Sequence, residues 1–229
     1  MRLSKSLLST LVLSVALGVS SNEANATERQ FSFGLISTPD ASHDIGGFNS
    51  NGGFSNVDDK NASVNGLYIA YGAKDLFRLG TLPITVEAEI AVTNSDVVTN
   101  SFPGPPGPIS FFYNTHINSQ RFAANLWTPI WSQSDWMLEG GTGLGVQALN
   151  IRVSDGVVSG NASDYVAYGM LGLRMTKDIT ESAGLEMGIR YSDTGTADIP
   201  LANGAGNPSG NYEYSQNGLS VLLGWRLDM

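Results

Sequence analysis

Residues 184–193, GLEMGIRYSD, alternate Leu185, Met187, Ile189 and Tyr191 with Glu186, Gly188, Arg190 and Ser192. A period of two belongs to a β-strand with two unlike faces, here one apolar and one carrying both signs of charge. Residues 83–94 repeat the pattern, setting Ile84, Val86, Ala88, Ile90 and Val92 against Thr85, Glu87, Glu89, Ala91 and Thr93. So do residues 216–227, with Leu219, Val221, Leu223, Trp225 and Leu227 against Ser220, Leu222, Gly224 and Arg226. In all, eight strand-like segments are read, near 30–37, 65–73, 83–94, 116–127, 136–149, 164–175, 183–193 and 216–227. Gly-, Asn-, Ser-, Asp- and Pro-rich stretches separate them. Several reach the roughly 10 residues that a tilted, membrane-spanning strand needs.

The connections alternate in length. Residues 38–64, 95–115, 150–163 and 194–215 are long, whereas 74–82, 128–135 and 176–182 are short. Long extracellular loops alternating with short periplasmic turns is the arrangement of bacterial outer-membrane barrels, and an even number of strands leaves both termini in the periplasm. The pattern therefore predicts an all-β fold, an eight-stranded antiparallel up-and-down transmembrane β-barrel with long extracellular loops and short periplasmic turns. In that topology Trp127, Trp131, Trp136 and Trp225 fall toward the periplasmic end and are expected to form an aromatic girdle at the lipid headgroups.

If the apolar faces meet lipid, the other faces fill the barrel. They bring in Glu87, Glu89, Arg121, Glu139, Arg174, Glu186, Arg190 and Arg226, equal numbers of each sign. Glu139, Arg174, Glu186 and Arg226 alternate in sign along the last four segments, and Glu87 and Glu89 lie beside Arg121. An eight-stranded barrel is just wide enough for side chains to fill, and buried charges must be paired, so a sign-matched interior network is expected. A soluble periplasmic lipid-binding barrel would reverse the faces. It would account for the charges but not for the loop pattern or the tryptophans.

The N-terminus changes the picture further. Arg2 and Lys5 precede an apolar run from Leu7 to Val19 and the small-residue sequence Ala24-Asn25-Ala26, so residues 1–26 read as a cleaved signal peptide and 27–229 as one barrel domain. That run is too short to span a bilayer as a helix, and no later stretch is long enough. Without residues 1–26 the net charge passes from −9 to −10, which argues against nucleic acid as a partner. The absence of cysteine argues against a small disulfide scaffold.

Residues 183–195, AGLEMGIRYSDTG, and 217–227, NGLSVLLGWRL, resemble the last two strands of the opacity-protein-like outer-membrane barrels, relatives of the membrane domain of outer membrane protein A. The resemblance lies in Gly188-Ile189-Arg190-Tyr191 and in the closing strand Ser220–Arg226. It implies insertion by the barrel-assembly machinery and surface loops used in adhesion, immune exposure or envelope integrity. The chain departs from the usual terminal Phe, ending Leu227-Asp228-Met229, although Met229 keeps the outward phase. Expected partners are outer-membrane lipid and lipopolysaccharide, the assembly machinery, and an extracellular ligand at loops 38–64, 95–115, 150–163 and 194–215. The expected location is the bacterial outer membrane.

No catalytic residue, cofactor or metal is assigned. His43 lies near Asp40 and Asp44 and reads as a solvated loop residue rather than a metal ligand. His116 with Ser119 invites comparison with outer-membrane lipid hydrolases, the main enzymatic alternative, but nothing places a nucleophile, base and orienting acid within reach of one another. GGTGLGVQ, residues 140–147, lacks the spacing and following helix of a phosphate loop. A small gated channel is a further alternative, opposed by the paired interior charges. The expected function is that of a non-enzymatic barrel with a polar filled interior and surface-exposed loops, of the surface-antigen, adhesion or envelope-structural kind.

Overall fold

The computed structural model describes residues 28–49, 52–54, 62–100 and 112–229. The segment read as a signal peptide lies outside them. The strands are β1 (Arg29–Asn49), β2 (Gly52–Phe54), β3 (Ala62–Leu79), β4 (Leu82–Asn100), β5 (Phe112–Gln133), β6 (Trp136–Ser154), β7 (Val158–Thr180), β8 (Ala183–Thr194), β9 (Ala197–Asn203) and β10 (Pro208–Asp228). All pairings are antiparallel, and β1 pairs with β10 to close the ring. β9 continues the path of β8 between β7 and β10, and among the described residues β2 pairs with the tip of β1 alone, so the wall has eight staves. Among the described residues, closure of the eight staves leaves no edge strand in the wall below β2, and a bilayer, offering no water to unpaired backbone groups, would not tolerate one there.

One rim carries the two-residue turns Gly80-Thr81, Ser134-Asp135 and Glu181-Ser182. Gly80 adopts φ +66°, the left-handed geometry such a turn needs and glycine takes without strain. Both described chain ends lie at this rim, where Met229 N–H donates to Arg29 O at 2.8 Å.

At the other rim the strands run much further than the alternation alone predicts. Residues 150–163 are not a long loop: β6 continues to Ser154, β7 starts at Val158, and only 155–157 connect them. Asp155 Oδ1 accepts from Val157 N–H and Val158 N–H at 2.8 and 2.7 Å, closing the turn. Residues 194–215 likewise hold β9 and the start of β10. β1 and β4 extend into the segments expected to be the first and second loops.

The extra length has a physical basis, because the two faces exchange polarity partway up the wall. In the lower half Leu35, Leu67, Ile90, Leu144, Leu171, Ile189 and Leu223 point outward and are exposed, while charged side chains point inward and are buried. In the upper half the interior is apolar: Ile45, Val97, Tyr113, Ile117, Leu149, Ile151, Ile199, Leu201, Tyr212 and Tyr214 pack as one buried cluster. There His116, Asn150, Arg152 and Asn161 face outward. The lower half is shaped for lipid outside and the upper half for water, each aliphatic side chain buried in the upper core contributing about 1.5–3 kcal/mol.

On β1 the exchange is accompanied by a register shift between Ser37 and Ser42, which brings Ala41, His43 and Ile45 inward. At the β8–β9 break, Gly195 and Thr196 do the same for Ala197, Ile199 and Leu201.

Candidate functional site: barrel interior and outer wall

The lower lumen is crossed by two linked ion-pair groups. Arg174, from β7, contacts Glu87 of β4, Glu139 of β6 at 2.5 Å and Glu186 of β8 at 3.6 Å. Arg121 of β5 donates to Glu89 at 2.6 Å, and Arg190 of β8 reaches the same carboxylate from the far wall. All these side chains are buried.

Neutral donors complete the carboxylates. Asn125 Nδ2 donates to Glu89 at 3.0 Å, Tyr68 hydroxyl to Glu186 at 2.9 Å, Ser32 hydroxyl to Glu186 at 3.2 Å, and Gln30 to Glu87. Aromatic rings flank the guanidinium groups, Tyr168 4.4 Å from Arg121 and Trp127 4.4 Å from Arg174. Such multiple satisfaction is what makes charges tolerable in a low-dielectric lumen.

Inward glycines make room for this crowd. A Cβ on Gly141 would stand 2.3 Å from the Trp127 ring, one on Gly224 2.5 Å from the Tyr68 hydroxyl, and one on Gly143 2.2 Å from Asn125 Oδ1. The run of glycines at residues 140–145 therefore answers to packing rather than to phosphate.

The eight charged residues assigned to the interior all lie there, but not all in the expected pairs. Arg226 does not meet Glu186; its Nη2 donates to Asp178 at 2.7 Å and Asp228 at 3.2 Å, at the rim of the two-residue turns. Glu87 is bridged to Arg174 across the lumen rather than to the adjacent Arg121. Tyr68, Gln30 and Asn125 also belong to the network, although the charge pattern does not point to them. Their signal is inward parity, since each lies an even number of residues from an inward neighbour on its own strand.

Among the tryptophans, Trp127 corrects the girdle. It is 1% exposed and donates its indole N–H to Glu87 inside the barrel. The alternation that turns Arg121 inward carries Asn125 and Trp127 with it, and position toward one end of the chain segment cannot override that phase. Trp131 and Trp225 are 46% and 45% exposed on the outer surface, and Trp136 is half-buried with Lys177 Nζ 5.2 Å from its ring centre.

His116 faces outward, paired to Asp96 through Nδ1 and to Asn118 through Nε2 at 3.1 Å. Ser119 points the other way, buried and hydrogen-bonded to Thr93 at 2.6 Å, so the wall separates the two residues a hydrolase would have to combine. His43, expected in a solvated loop, is instead buried in the upper core with Nδ1 2.8 Å from the Tyr214 hydroxyl.

A ring of antiparallel up-and-down staves with an apolar band outside and paired charges inside is the fold class of the eight-stranded outer-membrane β-barrels. No family model and no curated protein matches the sequence. Solved structures of similar fold include the outer membrane protein OprG from Pseudomonas aeruginosa, at 15% identity over 89% of this chain and 96% of that one, TM-score 0.54. A major outer membrane protein from Thermus thermophilus aligns at 12% identity over 88% of this chain and 99% of that one, TM-score 0.54. At these identities the likeness is one of fold.

Proposed function

We propose that the chain is a non-enzymatic protein of the bacterial outer membrane, inserted by the barrel-assembly machinery, held in lipid by its lower half and presenting its upper half outside the cell. The exchange of face polarity along the staves carries this reading: lower staves are built for lipid outside and upper staves for water. The similarity of Gly188–Tyr191 and Ser220–Arg226 to opacity-like closing strands favours a role in surface recognition or envelope reinforcement. A channel is disfavoured because side chains occupy the lumen at two successive levels, first as ion pairs and then as an apolar core. A hydrolase using Ser119 is disfavoured by the opposite orientations of His116 and Ser119.

The test is gel migration of the detergent-extracted protein with and without boiling, together with external protease applied to intact cells. Compact migration that slows on boiling, with cleavage limited to the upper connections, is the expected result. A periplasmic protein showing no shift would invert the assignment of faces and overturn the proposal.

A further inference from the structure

Above the apolar band, the outer wall of β5, β6 and β7 carries an open depression of about 420 Å³ lined by Asn114, His116, Arg152, Ser154, Ser159 and Asn161. These residues are register neighbours. Arg152 stands between His116 and Asn161, and Ser154 between Asn114 and Ser159. Arg152 makes no ion pair or side-chain hydrogen bond with a described residue, whereas His116 is already satisfied by Asp96 and Asn118.

A second feature borders this depression. Ser37, Asn65, Asn94, Asn118, Asn150 and Ser163 are successive register partners across six strands, forming one unbroken polar row on the outer wall. Ser37 hydroxyl donates to Asn65 at 2.7 Å and Ser163 hydroxyl to Asn150 at 2.5 Å. On β5 to β7 the outward residues on the lower side of the row include Leu126, Leu144 and Leu171, all exposed. The depression thus sits just above the apolar band, at the depth where lipid headgroups lie.

An uncommitted guanidinium, two amides and two hydroxyls at headgroup depth form a donor set suited to a phosphate attached to a sugar. Arg presents a planar fork that matches phosphate oxygens two at a time, and amides and hydroxyls match sugar hydroxyls. Of the carboxylates around the depression, Asp96 is engaged by His116, and Asp155 accepts from Val157 N–H and Val158 N–H.

We propose that this outer-wall pocket binds the phosphorylated sugar headgroup of an outer-leaflet glycolipid. Arg152 takes the phosphate, while Asn114, Asn161, Ser154 and Ser159 take the sugar. The inference rests on the membrane reading above and adds a lipid site to it.

The test uses the full barrel refolded into phosphatidylcholine nanodiscs doped with one of three probes: a phosphorylated acyl-glucosamine disaccharide, its dephosphorylated form, or phosphatidylglycerol. Lipid retained per barrel after washing is read by mass spectrometry. The phosphorylated glycolipid should be retained about tenfold over the other two, Arg152→Ala should abolish that preference, and Arg152→Lys should restore only part of it. Arg78→Ala, at the opposite rim, should change nothing. Equal retention of phosphatidylglycerol, or full retention by Arg152→Ala, overturns the site. A barrel that inserts and shifts on boiling but retains no glycolipid overturns this inference alone, whereas one that never inserts overturns the membrane reading beneath it.

Discussion

Trp127 donates its indole N–H to Glu87 at 2.7 Å, and both side chains are buried where β4 meets β5. The same ring lies 4.4 Å from the Arg174 guanidinium, so one residue links an aromatic contact to two members of the ion network. Trp127 is therefore a lumen residue, unlike Trp131 and Trp225. In variants keeping a single tryptophan, brominated acyl chains should quench Trp131 and Trp225 and spare Trp127. Trp127→Phe should cost about 1–3 kcal/mol in urea unfolding from vesicles, because it strands a buried acceptor. Trp225→Phe should cost less than about 0.5 kcal/mol. Equal quenching of all three would place Trp127 in lipid and contradict the structure.

The alternation of residues 83–94, 183–193 and 216–227 carries enough information to predict a barrel and to turn Glu87, Glu186, Arg190 and Arg226 inward, because parity along a strand is a local property. Pairing across the lumen is not local. Glu87 finds Arg174 because closure of the ring brings β4 opposite β7, and Arg226 finds Asp178 because of the stagger at the rim. The upper half is obscured for another reason. Leu149, Ile151 and Val153 alternate as cleanly as any membrane strand, but their apolar residues point inward, and the intervening Asn150 and Arg152 make the stretch read as a polar loop. Around Ala197, Ile199 and Leu201 the phase also shifts at Gly195 and Thr196, so a count from β8 assigns the wrong face.

Arg174 faces three carboxylates, and its removal leaves Glu87 and Glu186 with neutral donors and all three without an ion-pair partner among the described residues. Arg174→Met should destabilise the barrel by about 3–5 kcal/mol, the cost of uncompensated buried charge. Glu139→Gln should cost clearly less, since Arg174 keeps Glu87 and Glu186. Urea unfolding from lipid vesicles decides it: equal costs for the two variants would show that Arg174 is not the hub of the network.

The upper core is expected to fail separately from the lower barrel. Ile151→Ala and Ile199→Ala each remove a fully buried side chain from the apolar cluster and should cost about 2–5 kcal/mol locally. External protease should then cut above the apolar band, while the lower barrel keeps its shift on boiling because its ion pairs and lipid contacts are untouched. Simultaneous loss of the boiling shift would mean that the two halves unfold as one unit.

Tyr214 offers a probe of the upper core by pH. It lies above the apolar band, fully buried, its hydroxyl 2.8 Å from His43 Nδ1 and 3.2 Å from Gln216 Oε1. Burial, with the neighbouring Tyr212 as a lesser cause, holds its phenol well above the ordinary tyrosine value. The folded state therefore keeps the proton that the unfolded chain releases at about pH 10. The resulting stability is fully present below that pH and declines as pH rises toward the higher folded value, because only the unfolded chain gains by ionising. Protease resistance of the upper half should fall as pH rises above about 10, and Tyr214→Phe should flatten that fall by removing one ionising group from the unfolded state. An unchanged slope in Tyr214→Phe would mean that the alkaline loss arises elsewhere and that Tyr214 is not held neutral by the upper core.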